Sequence, residues 1–410
     1  MAHVEDRWFR EAVGPDGKRT KIQAARHGKG LRYRARVITP DGKERNKSFR
    51  TKTEAEAFTV TTAADVHRGV YLDPASGKVT LRSFAETWLG MQTNWEASTR
   101  EAVEMRLHRH IYPKLGGYTL AQLTQRPSII QSWLAGLGVS AAYGRIVLTT
   151  LSTIMSAAVA DELITRNPCQ VKTVKRPKIS ASRIEPRSAE QVSATGAALP
   201  DAFRILADLG AGLGLRQGEI FGLAATDIEW LRKGGPVVHV RRQVRIVRGR
   251  LVFALPKGGK QRTVPLPESV RLALSEHLRE HPARPVMLPW LEPGGKPVTA
   301  ELVLTSATGL AMNRNTFNVH AWKPALRAAG LDPASRENGT HALRHYFAST
   351  LLYHGCDIKS VSEYLGHHSA AFTLQIYSHV MPSAHDRMRE AIDASRDQDH
   401  GPATSQGSAK

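Results

Sequence analysis

Residues 172–187 read KTVKRPKISASRIEPR, a basic run with two prolines and no apolar period. No helix or strand can carry one hydrophobic core across such a stretch, so the chain has to fold in separate pieces on either side of it. A length of 410 residues agrees, being more than one typical core accommodates.

Before this linker the pattern changes once. Residues 1–72 hold strand-like pieces separated by the turn signals GPDGK (14–18) and TPDGK (39–43), and RYRARVI with ERNKSF around the second turn predicts a hairpin. Thr53 and Glu56 then have the spacing of a capping box ahead of an alanine-rich helix that runs to about His67 and stops at Gly69. The prediction is a small sheet with one helix. Residues 79–171 are helical throughout: SFAETWLGM, STREAVEMRLHRHI, SIIQSWLAGL and a long segment from Ser140 to Ile164. Val103, Leu107 and Ile111 fall at i, i+4 and i+8 and form a packing face, while Arg100, Arg106, Arg109 and His110 point elsewhere. Leu148, Leu151, Met155, Val159 and Leu163 make a second apolar stripe, read as core. After the linker, 188–395 reads as a mixed domain with helices near 188–198 and 201–213, a strand-rich basic stretch at 237–266 and helices from about 314 onward. Residues 396–410 are polar and predict a disordered tail.

The chain carries 57 Lys and Arg against 37 Asp and Glu, a formal charge of +20 and a pI near 10.2. That surplus calls for a polyanionic partner, and nucleic acid is the first choice. A membrane is the competing polyanion, but the longest apolar run, Ile205 to Leu215, is broken by Asp208 and three glycines and is too short to span a bilayer. The N-terminus is charged and mixed, unlike a signal peptide. Cys169 and Cys356 are far apart and lack metal-ligand spacing, which predicts a reduced, cytoplasmic protein.

Four short texts could carry chemistry. In GLGLRQGEIFGL (212–223), Arg216 stands between a glycine-interrupted helix end and a new helix, and so projects from a turn. In LPKGGKQRTVPL (255–266), Lys257 edges a turn between two strand-like runs; a phosphate loop would need lysine followed by Ser or Thr at the start of a helix, which is missing. In HALRHYFAS (341–349), after Thr340 as the expected helix cap, His341 and Arg344 share one helical face. His345 lies four after His341, but Ala342 stands where a zinc-protease helix carries its glutamate and no third ligand is spaced to match, so no metal is expected. In LGHHSAAFTLQIYSH (365–379), His367 follows a turn and Tyr377 lies on the next helix.

In the order Arg216, Lys257, His341, Arg344, His367, Tyr377, these residues resemble the active site of the tyrosine recombinases, in the phage and mobile-element integrase branch. The resemblance covers most of the chain. It implies a multidomain fold: a small N-terminal β-sheet plus helix module (1–72) that binds arm-type DNA, an all-α core-binding domain (79–171), the linker (172–187) and a mixed α+β, mainly helical, catalytic domain (188–395). It also implies a site-specific recombinase that forms a 3′-phosphotyrosine and a Holliday junction on double-stranded DNA attachment sites. A homotetramer on two sites is the working form, without metal, ATP or other cofactor. A directionality factor and a DNA-bending host protein are the implied accessory partners, and the setting is the nucleoid of a bacterial cytoplasm. The competing readings are a type IB topoisomerase-like enzyme and a catalytically inactive DNA-binding regulator.

The chemistry supports the resemblance. Attack of tyrosine on a phosphodiester builds negative charge on the non-bridging oxygens, which two permanently charged guanidinium forks, Arg216 and Arg344, can hold. Phenol ionises near 10, so Tyr377 needs a proton acceptor, and His341 is the candidate. The departing 5′ oxygen needs a proton donor, for which Lys257 is suited; His367 would hydrogen-bond a phosphate oxygen. Glu219 reads either as a support for Arg216 or as a plain surface glutamate. The segment SAHDRMREAIDAS (383–395), with Pro382 before it and Met388 and Ile392 as a narrow apolar stripe, is expected to dock onto a neighbouring subunit if the resemblance holds, and to pack on its own domain otherwise.

Overall fold

The computed structural model describes residues 3–13, 19–38, 44–67, 76–179, 185–378, 388, 389 and 393. These form two compact units, one of residues 1–95 and 102–180, the other of 96–101 and 181–410.

In the first unit the N-terminal strands are β1 (His3–Asp6), β2 (Phe9–Val13), β3 (Arg19–Gln23), β4 (Tyr33–Ile38) and β5 (Glu44–Phe49), followed by α1 (Lys52–His67). The predicted hairpin is present: β4 and β5 pair antiparallel with Tyr33 opposite Phe49, and β1 joins on the other side of β4. Its turn, 39–43, and the helix stop at Gly69 lie outside the described residues. Among the described residues there are two sheets where the sequence suggested one, because β2 and β3 pair with each other and not with β1, β4 or β5. Alternation sends Ala35 and Val37 inward to the side that α1 covers. The capping box is Thr51 with Glu54, two residues before the expected pair: the Glu54 amide donates to Thr51 Oγ1 and the Thr51 amide to the Glu54 carboxylate. Both pairs have the right spacing. The earlier one wins because β5 ends at Phe49 and the chain turns at once.

The helical segment holds α2 (Leu81–Gly90), α3 (Ala97–Arg106), α4 (Tyr112–Leu115), α5 (Leu120–Gln125), α6 (Ser128–Ala135) and α7 (Ala141–Ala160), with one wide π-turn at Leu107–Ile111. Val103, Leu107 and Ile111 are buried as expected, as are Leu148, Leu151 and Met155. The helix stops at Ala160, short of Ile164, so Val159 and Leu163 pack only partly. Arg106 turns inward to donate to Thr150 Oγ1 at 2.7 Å. By length and composition α7 could cross a membrane, yet its apolar stripe lies in the core between the other helices.

The second unit begins with α8 (Ala189–Ala197) and α9 (Asp201–Leu213), then the short α10 (Gln217–Phe221). The strands are β6 (Ile228–Glu229), β7 (Val237–Val240), β8 (Gln243–Val247), β9 (Arg250–Ala254) and β10 (Arg262–Pro265). They form a sheet ordered β10-β7-β6 and a separate β8-β9 hairpin, so the KGGK turn joins strands of different sheets. Next come α11 (Glu268–Glu280) and a hairpin of β11 (Arg284–Pro289) with β12 (Pro297–Leu302), none of which the sequence reading assigned. Pro285, Pro289 and Pro297 argue against strands, but in a two-stranded ribbon the missing amide can face outward. The closing helices are α12 (Arg314–Phe317), α13 (Lys323–Ala328), α14 (His341–Tyr353), α15 (Ile358–Leu365) and α16 (Ala370–Tyr377). Pro382, Ser383 and Ile392 of the proposed docking helix lie outside the described residues; Met388 is described and exposed.

Two glycines set the placement of α14. A Cβ on Gly210 would stand 2.8 Å from Leu343 Cδ1, so glycine lets α9 and α14 approach closely. Gly214 ends α9 in the left-handed region at φ 63°, which reverses the chain and presents the next residues to the site.

Candidate active site

Beyond Gly214 the chain is extended at Arg216, which precedes α10. Its guanidinium donates to Glu219 Oε1 at 2.8 Å and to the Gly366 carbonyl at 3.4 Å, and its amide donates to Glu219 Oε2 at 2.9 Å. Glu219 is 1% exposed, which removes the surface-glutamate reading. It is also held by a residue the sequence reading missed: Arg262 of β10 donates to both carboxylate oxygens, at 3.0 and 2.7 Å, and to the Tyr364 carbonyl at 2.6 Å. Burial alone would raise the Glu219 pKa. The hydrogen bonds and charge of Arg262, with the charges of Arg216 and Arg344, outweigh it and bring the value down to about 2.

Arg344, on the first turn of α14, is 1% exposed and clamps two loops. It donates to the Gly214 carbonyl at 2.7 Å and to the Leu365 carbonyl, so the turn bearing Arg216 and the turn bearing His367 are fixed to one side chain. Burial and the charges of Arg216 and Arg262 press its pKa down to about 9, and it stays protonated at neutral pH. Three guanidinium groups thus surround one carboxylate. The surplus positive charge suits an anion with several oxygens.

Thr340 does not cap α14 with its side chain; its hydroxyl donates to Gln217 Oε1 at 3.3 Å, tying the start of α14 to the start of α10. His341 and His345 follow on one face, their rings 5.3 Å apart. Burial, then the charge of Arg344, holds both near a pKa of about 4, so both are neutral at pH 7. His367 is lower still, about 3, through burial and the charges of Arg344 and Arg216. Its Nδ1 lies 2.7 Å from Thr373 Oγ1.

Tyr377, the last residue of α16, is 1% exposed, and its hydroxyl lies 2.7 Å from Nδ1 of His345. Sequence reasoning placed His341 in that role and weighed His345 only as a metal ligand. Spacing alone leaves the two equivalent, since His345 stands four residues after His341 on the same face. Burial raises the Tyr377 pKa to about 12, with Arg344 pulling against it, so the side chain is a phenol at neutral pH.

Arg216, His341, Arg344, His367 and Tyr377 are therefore gathered, as the shared contacts and mutual charge effects require. Lys257 is not among them: it is exposed on the turn after β9 and forms no bond to the other five. Among the described residues no group of three His, Cys, Asp or Glu side chains is arranged to hold a metal ion.

The phage integrase family pattern matches residues 188–383, and that of the phage integrase N-terminal SAM-like domain matches 80–138. The chain is 29% identical over 365 residues to a XerC-like tyrosine recombinase of Caldanaerobacter subterraneus, covering 83% of this chain and 90% of that protein. It is 25% identical over 262 residues to the integrase of Mycobacterium phage L5, covering 61% and 68%. Its fold is similar to the Tn1549 transposon integrase in complex with transposon right end DNA, with TM-score 0.61 and 18% identity over 77% of this chain and 99% of that one. It is also similar to lambda integrase in a tetramer bound to a Holliday junction, with TM-score 0.55 and 18% identity over 85% and 93%.

Proposed function

The chain belongs to the phage integrase family and is a site-specific DNA recombinase of the tyrosine type, and we propose that Tyr377 is its nucleophile. The observation that carries this assignment is the seating of a phenol beside a cluster of guanidinium groups whose charge one buried carboxylate only partly offsets. A phosphodiester seated on Arg216 and Arg344, with His341 and His367 donating to its oxygens, presents phosphorus to the Tyr377 hydroxyl. The hydroxyl oxygen bonds to phosphorus as the bond from phosphorus to the 5′ oxygen breaks. Its proton passes to Nδ1 of His345, a neutral acceptor already at bonding distance. Lys257, carried in on its turn, gives a proton to the leaving 5′ oxygen. The product is a 3′-phosphotyrosine and a free 5′ hydroxyl; attack by a 5′ hydroxyl from another duplex reverses the steps and joins the strands without ATP.

Tyr377 is almost fully covered, so DNA has to displace what lies over the ring while the bond to His345 persists. We assign to residues 1–72 the binding of a second class of DNA sites and to 79–171 the grip on the core site. The working form is a homotetramer on two attachment sites, exchanging strands through a Holliday junction in the bacterial nucleoid. A directionality factor and a DNA-bending host protein set its direction. Strand joining between two duplexes tests this reading: relaxation of supercoils without joining would favour a topoisomerase, and binding with no covalent adduct would favour a regulator.

A further inference from the structure

Thr373 and Tyr377 stand at i and i+4 on the buried face of α16, and each hydroxyl meets a histidine ring nitrogen at 2.7 Å. Several helical threonines in this protein turn their hydroxyls back to the carbonyl four residues earlier, as Thr87, Thr124 and Thr195 do. Thr373, fully buried, makes its hydroxyl bond to His367 instead.

We propose that Thr373 is a positioning residue that donates to Nδ1 of His367, fixing its proton on Nε2 so that the outward nitrogen can only donate to a phosphate oxygen. The inference rests on the reading of His367 as a phosphate ligand. A neutral imidazole carries one N–H, and the bond made by one nitrogen decides the role of the other. In the opposite tautomer Nδ1 would donate to Thr373 and Nε2 would turn a lone pair toward the anion, which repels it. Burial and nearby arginines keep His367 neutral, so the choice between tautomers is a real one. Gly366 in the left-handed region, the amide of His367 bonded to the Ser362 carbonyl, and the edge contact of its ring with Phe372 hold the imidazole in place. The same helix thus carries the nucleophile and the group that sets this histidine. Docking of α16 and correct seating of the phosphate become one event.

The test uses the full-length chain and a nicked DNA substrate that traps the covalent adduct. Thr373→Val should bind DNA normally and form adduct about tenfold more slowly, the effect of one hydrogen bond of ordinary net strength; Thr373→Ser should recover most of the rate. In a His367→Ala background, Thr373→Val should cause no further loss, because the two act through one contact. Nitrogen-15 shifts of labelled histidine should show His367 protonated on Nε2 in the wild type and as a mixture of tautomers in Thr373→Val. A wild-type Nδ1–H tautomer would overturn the proposal, as would losses that add in the double variant or a valine variant with wild-type cleavage beside an impaired His367→Ala. An unimpaired His367→Ala would instead remove the phosphate role on which the inference rests.

Discussion

The Tyr377 hydroxyl lies 2.7 Å from Nδ1 of His345, whereas His341, one turn earlier on α14, makes no hydrogen bond to it. This divides two histidines that sequence spacing leaves equivalent. One meets the Tyr377 hydroxyl, and the other is held neutral by burial and by the charges of Arg344, His345 and Arg216.

The division predicts different pH behaviour. His345 is already neutral above a pH of about 4, so wild-type adduct formation should be nearly flat between pH 6 and 8. His345→Ala should lose about a hundredfold at pH 7, the lower end of general-base contributions. It should then regain rate as pH rises toward the Tyr377 value of about 12, since ionisation replaces the missing acceptor. His341→Ala should slow cleavage without that recovery. Single-turnover rates across pH decide it; a His345→Ala enzyme with wild-type rates would return the acceptor role to His341.

Removing the charge of Glu219 should be costly. Glu219→Gln leaves the guanidinium groups of Arg216 and Arg262 without their carboxylate, and breaking a buried ionic contact from one side costs roughly 3–5 kcal/mol. Denaturant unfolding should show the loss, and Arg262→Ala should share it. A change within about 0.5 kcal/mol, the range of ordinary surface substitutions, would mean that the network is not what holds the Arg216 turn.

Stability should also fall on mild acidification. His341, His345 and His367 have folded values of about 4, 4 and 3, below the ordinary 6.5, so the unfolded chain takes up protons first as pH drops. Their contribution is present above about 6.5 and lost as pH falls toward 4. Glu219, lowered to about 2, adds a second loss that begins below its ordinary value of 4.5. The urea midpoint should therefore drop between pH 7.5 and 5, and less so in His345→Gln. Equal pH slopes for variant and wild type would contradict the cause given.

Lys257 is exposed and makes no hydrogen bond to the other five residues, so its proposed role depends on its turn closing over bound DNA. Lys257→Ala should slow cleavage of ordinary DNA strongly, while a substrate with sulfur at the bridging 5′ position should largely restore it, since a thiolate departs without a proton donor. Failure of that rescue would remove the proton-donor role.

How much of this was legible in the sequence follows from how local each contact is. Arg216, Arg344 and Tyr377 stand at turns or helix faces marked by nearby glycines and histidines, and short spacing brings them out. Arg262 sits in an alternating strand where an arginine reads as solvated, and its partner Glu219 is far back in the chain. No local pattern announces that pair. The bond between His345 and Tyr377 likewise joins α14 to α16 through tertiary packing, as does that between Arg344 and Gly214. The hairpin β11 to β12 escaped notice because proline normally argues against strands.

The most direct test of the whole account is a denaturing gel of protein incubated with a nicked attachment-site substrate. Wild-type chain should give a covalent protein–DNA adduct, and Tyr377→Phe, which keeps the ring and loses only the hydroxyl, should bind the same DNA and give none. An adduct that persists in Tyr377→Phe would place the nucleophile elsewhere, with Tyr364 or Tyr346 next to examine, and the assignment of this site would fail.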